Sequence, residues 1–220
     1  MSNSDYVFKA NKDALEFVGD FDSLYKNEDD PWSQSGRDGE MSHYYTHCRR
    51  RLVNKLKEIN LNSLLEIGCG LGYTTQIIQK SLPECDVVGM DISSAAITRA
   101  VKLFPNLDFM SGDVSSTKFY SEVKYDAIIL NQLLWYVLTS LFETFENCFF
   151  ALNSNGRIII SQAFLQAPQK YGKDICDGFD GLINYLDKNM RHRFKIEYKS
   201  FDDSNTFIHN DGLIILKKRG

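Results

Sequence analysis

The chain has 220 residues, of which 43% are hydrophobic and 25% charged, and a formal net charge of −4. That balance excludes wholesale disorder, and its acidic sign excludes a general phosphate-tracking surface, so no nucleic-acid partner is expected. The odd set Cys48, Cys69, Cys85, Cys148 and Cys176 has no CxxC spacing and excludes a disulfide framework or a cysteine-built zinc site.

Met1 to Lys12 is polar, without the apolar core of a secretory signal. No run approaches the ~18 apolar residues of a membrane span. A cytoplasmic protein without a membrane partner, monomeric or homodimeric, is expected. The runs Arg49-Arg50-Arg51 and Lys217-Lys218-Arg219 read as a solvated helix face and a frayed C-terminus.

Residues 1–41 are rich in aromatic and acidic residues and are expected to form an N-terminal lid segment. Residues 42–220 form one domain, with an insert at about 162–191. Phe17, Phe21 and Tyr25 lie four apart, the spacing of one helical face. Asp29-Asp30-Pro31-Trp32 opens a loop rich in turn residues. Ser42 is expected to cap a helix to Ile59 with Leu52, Leu56 and Ile59 on one side.

Leu64 to Ile67 reads as the first strand of the domain, and Tyr73 to Ser81 as a helix stopped before Pro83. Val87 to Asp91 is the second strand, and Ser93 can cap the helix to Leu103. Leu107 to Met110 and Tyr125 to Leu130 follow as strands. The latter is nearly all apolar, as a strand covered on both faces should be. Ser140 with Glu143 has the pattern of a capping box for a helix to Leu152. Asn155-Gly156 marks a turn before a strand at Arg157–Ser161. Phe194–Phe201 and Leu213–Lys217 close the chain as strands, with turn chemistry at His209-Asn210-Asp211-Gly212. Alternating strands and helices give an α/β fold: a Rossmann-like, seven-stranded, mostly parallel sheet with helices on both faces and an antiparallel edge hairpin.

The strongest chemical signal is Glu66-Ile67-Gly68-Cys69-Gly70-Leu71-Gly72 between a strand and a helix. Glycines there let the main chain turn sharply and a ligand approach it. The crevice beyond such a strand is where open α/β sheets bind ligands. Asp91, followed by Ile92, ends the next strand, where a carboxylate can accept from both ribose hydroxyls. Asp113-Val114 follows the third strand, where Asp113 could accept from an adenine amino group. Asn131 and Gln132 follow the fourth.

Glu66-x-Gly68-x-Gly70-x-Gly72, Asp91, Gly112-Asp113-Val114 and the Tyr125–Leu130 strand together resemble the class I S-adenosylmethionine-dependent methyltransferases, over about residues 62 to 161. The resemblance implies S-adenosyl-L-methionine as methyl donor and S-adenosyl-L-homocysteine as product. It implies that Gly68 and Gly70 approach the methionine part, that Asp91 holds the ribose, that Asp113 and Val114 meet adenine, and that Glu66 supports the loop and the amino end. Asp29-Asp30-Pro31-Trp32 and Asn131-Gln132-Leu133-Leu134-Trp135-Tyr136 are similar to the nodulation protein S group, whose members methylate a sugar oligomer precursor. That likeness implies O- or N-methylation of a small polar acceptor: a sugar, a sugar nucleotide, or a capsule or surface-glycan precursor, including a phosphoramidate modification.

Trp32, Trp135 and Tyr136 are candidates to face a sulfonium. His47 is the candidate base, and Tyr171 and Asp177 are candidates to touch the acceptor. His43 and His47 lie one turn apart, but nothing nearby completes a ligand set, so no metal is expected. Three rivals remain. A nicotinamide oxidoreductase would carry its third glycine one residue later than Gly72. A nucleic-acid methyltransferase often carries Asn-Pro-Pro-aromatic where this chain has Asn131-Gln132-Leu133-Leu134. A cofactor-binding module without catalysis would keep the same crevice.

Overall fold

The computed structural model describes residues 4–11, 14–36, 39–116, 119 and 123–220. In chain order these form α1 (Ser4–Val7), β1 (Phe8–Asn11), β2 (Ala14–Phe17), α2 (Phe21–Asn27), α3 (Glu40–Leu56), β3 (Ser63–Ile67), α4 (Tyr73–Ser81), β4 (Asp86–Asp91), α5 (Ser94–Leu103), β5 (Asp108–Ser111), β6 (Tyr125–Asn131), α6 (Leu141–Ala151), β7 (Leu152–Phe164), α7 (Gly178–Met190), β8 (Phe194–Asp202) and β9 (Asn210–Lys218). Two short 3₁₀ turns, Leu134–Tyr136 and Leu138–Ser140, follow β6.

The main sheet has seven strands in the order β5-β4-β3-β6-β7-β9-β8. Strands β3 to β7 run parallel, and β9 pairs antiparallel with both β7 and β8. The seven-stranded, mostly parallel sheet with an antiparallel edge is therefore as expected. From β3 the chain moves outward to β4 and β5, then jumps back to β6 on the other side of β3. The carboxyl ends of β3 and β6 thus flank a topological switch point.

Side chains alternate between faces along a strand, and this divides the core in two. Leu65, Ile67, Ile128, Leu130, Ile158 and Ile160 pack on the α6/α7 side. Leu64, Ala127, Ile129 and Ile159 pack with Leu52 and Leu56 of α3 and Ile78 of α4. Glu66 lies on the Leu64 face by the same alternation, so the carboxylate is carried towards α3 and α4. No helix among the described residues is long and apolar enough to cross a membrane.

Several local expectations are corrected. Phe17, Phe21 and Tyr25 do not share a helix. Phe17 ends β2, which pairs with β1 in a separate antiparallel ribbon, although its ring still lies 6.2 Å from that of Phe21. Helix α3 begins at Glu40 after Gly39 and stops at Leu56, so Ser42 does not cap it and Ile59 lies beyond it. Ser140 stands at the cap position of α6 without a side-chain capping bond; its hydroxyl turns back to the Val137 carbonyl. Asn155-Gly156 lies within β7 as an irregularity, because pairing with β6 skips there.

The closing turn falls at Asp202–Asn205 rather than at His209–Gly212. Asp202 accepts from the Ser204 amide at 3.1 Å, and Asn205 takes φ 57°. Asn210, Asp211 and Gly212 instead pair with Phe164, Ala163 and Gln162 of the extended β7. The basic tail is not frayed: Lys218 Nζ donates to the carbonyls of Phe149 and Leu152. Nor is Arg49-Arg50-Arg51 one solvated face. Arg50 is exposed, Arg51 bonds Asp211 and Ser200, and Arg49 is buried.

Candidate active site

Strand β3 ends in a loop whose glycines Gly68, Gly70 and Gly72 all take positive φ (78°, 54° and 80°). Such backbone is cheap only without a Cβ. Asp91, at the end of β4, ties the loop down: its carboxylate accepts from the Gly70 amide at 2.8 Å and from the Ser93 amide at 2.9 Å. Burial raises the pKa of Asp91, and the two amide bonds oppose that shift. Each oxygen keeps further acceptor capacity for a ligand hydroxyl.

A cavity of about 330 Å³ opens beside this loop. Gly68, Asp91, Ile92, Asp113, Val114 and Asn131 line it from the tips of the parallel strands. Trp32 and Tyr136 line it too. These eight expected residues therefore converge on one cleft. Gly70 and Gly72 shape the loop behind it. Glu66 is buried below, where it accepts from Thr75 Oγ1 at 2.6 Å and from Asn131 Nδ2 at 3.1 Å.

The N-terminal segment closes one side of the cleft with Phe17, Phe21, Tyr25, Trp32 and Gln34. Asp22 holds α2 to the start of α5 through the Ser93 hydroxyl and the Ala95 amide. Arg99 donates to the carbonyls of Tyr25 and Glu28. Asp30 folds the following loop by accepting from the amides of Gln34 and Ser35.

A second cavity of about 370 Å³ adjoins the first, and Trp32, Tyr45, Gln132 and Tyr136 border both. Trp135 and Tyr171 line the second. His47 is not placed with them. It lines neither cavity, stands 2.9 Å from Asp202 Oδ2 and stacks on Phe207 at 4.4 Å. Asp177 is exposed, 3.7 Å from Lys173 Nζ, and also lies outside both cavities.

Arg49 is the group sequence reasoning missed. Its Nε donates to Thr74 Oγ1 and its Nη1 to the Gln34 carbonyl, while Nη2 is buried without a hydrogen-bond partner. Its guanidinium lies 5.0 Å from the Tyr45 ring centroid. Arg49 lines neither cavity itself but stands behind Gln34 and Tyr45, which line the cleft, so its charge acts on an anionic group there through them. Arg49→Met is expected to raise the dissociation constant for S-adenosylhomocysteine about tenfold, the loss of roughly 1.4 kcal/mol. Calorimetry at fixed salt checks this, and an unchanged constant would remove Arg49 from the site.

Glu66 is fully buried, which pushes its pKa up to about 7 against the pull of Thr75 and Asn131. The folded chain therefore holds this proton to higher pH than the unfolded one, and the stability from Glu66 falls as pH rises from about 4.5 to 7. Glutamine can keep both bonds, accepting from Asn131 and donating to Thr75. Glu66→Gln is thus expected to come within about 1 kcal/mol of the parent at pH 5 and to exceed it at pH 8 by up to roughly 3 kcal/mol, seen as a shift in urea midpoint. Equal differences at both pH values would contradict this.

Residues 65–158 match the family model described as "Methyltransferase domain". Malonyl-[acyl-carrier protein] O-methyltransferase of Priestia megaterium is 32% identical over 117 residues, covering 50% of this chain and 41% of that protein. The N-methyltransferase NodS of Bradyrhizobium japonicum WM9, solved with S-adenosyl-L-homocysteine, superposes with TM-score 0.70 at 17% identity, covering 90% of this chain and 98% of NodS. The [4+2]-cyclase SpnF superposes with TM-score 0.67 at 14% identity, covering 85% of each chain. The matched region spans about two fifths of the length of the first curated relatives.

Residues 65–158 thus match a methyltransferase domain, and they carry the glycine loop on a sheet that superposes on solved methyltransferases. Gly68, Asp91, Asp113 and Asn131 line the cleft at the strand tips of this domain, which is the candidate seat of S-adenosylmethionine.

Proposed function

We propose that this chain transfers a methyl group from S-adenosylmethionine to oxygen or nitrogen of a small acceptor seated in the second cavity. The observation that carries the reading is the junction: Trp32, Tyr45, Gln132 and Tyr136 border both the cofactor cleft and a neighbouring chamber. S-adenosylmethionine supplies a methyl group whose leaving group is a neutral thioether, so the protein's task is to position the acceptor and exclude water.

Tyr136 stands among aromatic rings at the junction, 5.8 Å from Trp32 and 5.4 Å from Phe21 by ring centroids. Those rings favour a sulfonium over water. Burial raises the pKa of Tyr136, which keeps the phenol protonated and suits it to donate a hydrogen bond. Phe17, Phe21, Tyr25 and Trp32 make the N-terminal segment a lid over the cofactor cleft. The nodulation protein S likeness implies a sugar or surface-glycan precursor as one class of acceptor.

SpnF shares the fold and is named a cyclase, so architecture alone does not set the reaction. Calorimetry with S-adenosylhomocysteine and NADH, followed by methyl-labelled S-adenosylmethionine with a broad metabolite panel, tests the proposal. The expected result is tight binding of S-adenosylhomocysteine alone, with label in one small product. Tight binding of NADH instead would overturn the reading. Cofactor binding without transfer to any compound would favour a non-catalytic module.

A further inference from the structure

We infer that the acceptor is an uncharged ring compound carrying a phenolic hydroxyl, and that His209 takes its proton. The inference rests on the methyl-transfer reading above and concerns only the second chamber.

The walls there are rings. Phe8 meets Tyr171 edge-on at 5.0 Å and Trp135 meets Phe164 at 5.5 Å. Three glutamines also line the chamber, and each amide already both accepts from and donates to the protein. Gln132 accepts from the Ala163 amide and donates to Tyr44 Oη. Gln162 accepts from the Leu134 amide and donates to the Ala163 carbonyl. Gln169 accepts from the Gly178 amide and donates to the carbonyls of Tyr171 and Cys176. The Trp135 indole donates to the Ala163 carbonyl, and Tyr44 donates to Asp211 while accepting from Gln132.

No aspartate or glutamate is among the described residues of this lining, and Lys170 is exposed. A polyhydroxylated sugar entering here would surrender water and find few partners, which disfavours it. A cation would meet no carboxylate. A flat ring would bury against aromatic walls at little loss.

Among the described residues, the polar lining side chains without a hydrogen bond are Tyr45, Tyr136, Tyr171, His209 and Lys170, of which Lys170 is exposed to solvent. His209 lies edge-on to Tyr44 at 5.5 Å, and the Tyr44 hydroxyl bonds Gln132, which borders both cavities. The imidazole therefore shares the wall of the second chamber with Tyr44 and Gln132. Burial lowers its pKa, leaving it neutral and able to accept a proton near pH 7. Of its titratable surroundings, burial raises the pKa of Tyr44, Tyr45, Tyr136 and Tyr171, keeping them protonated, and Asp211 is bound to Arg51 and Tyr44.

In the step, the phenol O–H bond breaks and its proton passes to a ring nitrogen of His209. The oxygen pair forms the O–CH₃ bond as the S–CH₃ bond breaks, its electrons staying on sulfur. The imidazolium then returns its proton to solvent.

Trp32 and Trp135 are the chain's two tryptophans, and both line this chamber, so their emission reports its occupancy. With the chain saturated in S-adenosylhomocysteine, as checked by calorimetry, 4-nitrophenol and UDP-glucose are titrated separately. Saturable quenching by 4-nitrophenol and none by UDP-glucose is expected, with growth of the yellow phenolate band on binding. His209→Asn, and His209→Gln as a second variant, should keep the quenching and the parent melting temperature but lower the bound phenolate at least about tenfold. Binding of UDP-glucose alone, or of neither probe, would overturn the acceptor class. Unchanged phenolate in both variants would overturn the role of His209. Failure to bind S-adenosylhomocysteine would instead sink the methyl-transfer reading and this inference with it.

Discussion

Asp91→Asn is expected to weaken S-adenosylhomocysteine binding by about two orders of magnitude, close to 2.7 kcal/mol. The reason lies in what the carboxylate already does. One oxygen accepts from the Gly70 amide and the other from the Ser93 amide. An asparagine must turn its NH₂ towards one of these N–H donors, whichever way it flips. One buried amide is then unpaired and faces a second donor, at roughly 1–3 kcal/mol of stability. The change also removes the negative charge, so a ligand hydroxyl donating to this position would lose its charge assistance. The expected signature is a joint fall in affinity and melting temperature, read by calorimetry and thermal denaturation. A dissociation constant within threefold of the parent would show that Asp91 only supports the loop.

The cleft was legible in the sequence because its parts sit at strand tips. A strand followed by glycines, then carboxylates at the ends of the next strands, needs only the period of a strand and the rule for crossovers. Gly68, Asp91, Asp113 and Asn131 therefore met where expected. Residues whose role depends on packing across the fold were not legible. Arg49 lies in a run of three arginines, and only the docking of α3 against α4 and the N-terminal loop decides which of them is buried. His209 reads as a turn residue, since Asn-Asp-Gly carries turn chemistry locally. It reaches the second chamber because β7 runs on to Phe164 and takes Asn210–Gly212 as its partner strand. The β1–β2 ribbon went unseen for a similar reason. The spacing of Phe17, Phe21 and Tyr25 suits a helix, and only the pairing of Phe8 with Phe17 reveals the strand. His47 marks the opposite error. An imidazole on a helix behind an expected lid looks suited to be a base, yet α3 turns it towards Asp202 and Phe207.

Gly70→Ala should have the next largest effect, and it tests whether the N-terminal segment and the cofactor loop act as one unit. Gly70 sits at φ +54°, where an L-residue costs roughly 1–2 kcal/mol. An added Cβ would also stand 2.6 Å from Tyr25 Oη and 3.3 Å from Gln34 Oε1. Tyr25 cannot easily yield, because it is buried with Leu71 and Ala96, and its hydroxyl accepts from the Trp32 indole at 3.1 Å. The methyl group must therefore push the loop into the cleft or lift the N-terminal segment from it. S-adenosylhomocysteine affinity is expected to fall at least about thirtyfold, roughly 2 kcal/mol. The two causes separate in a double-mutant cycle with Tyr25→Phe, which deletes the clashing oxygen but not the backbone strain. If the contact matters, Gly70→Ala will lose less affinity in the Tyr25→Phe background than in the parent. Strict additivity would assign the loss to backbone strain alone and leave the segment uncoupled from the loop.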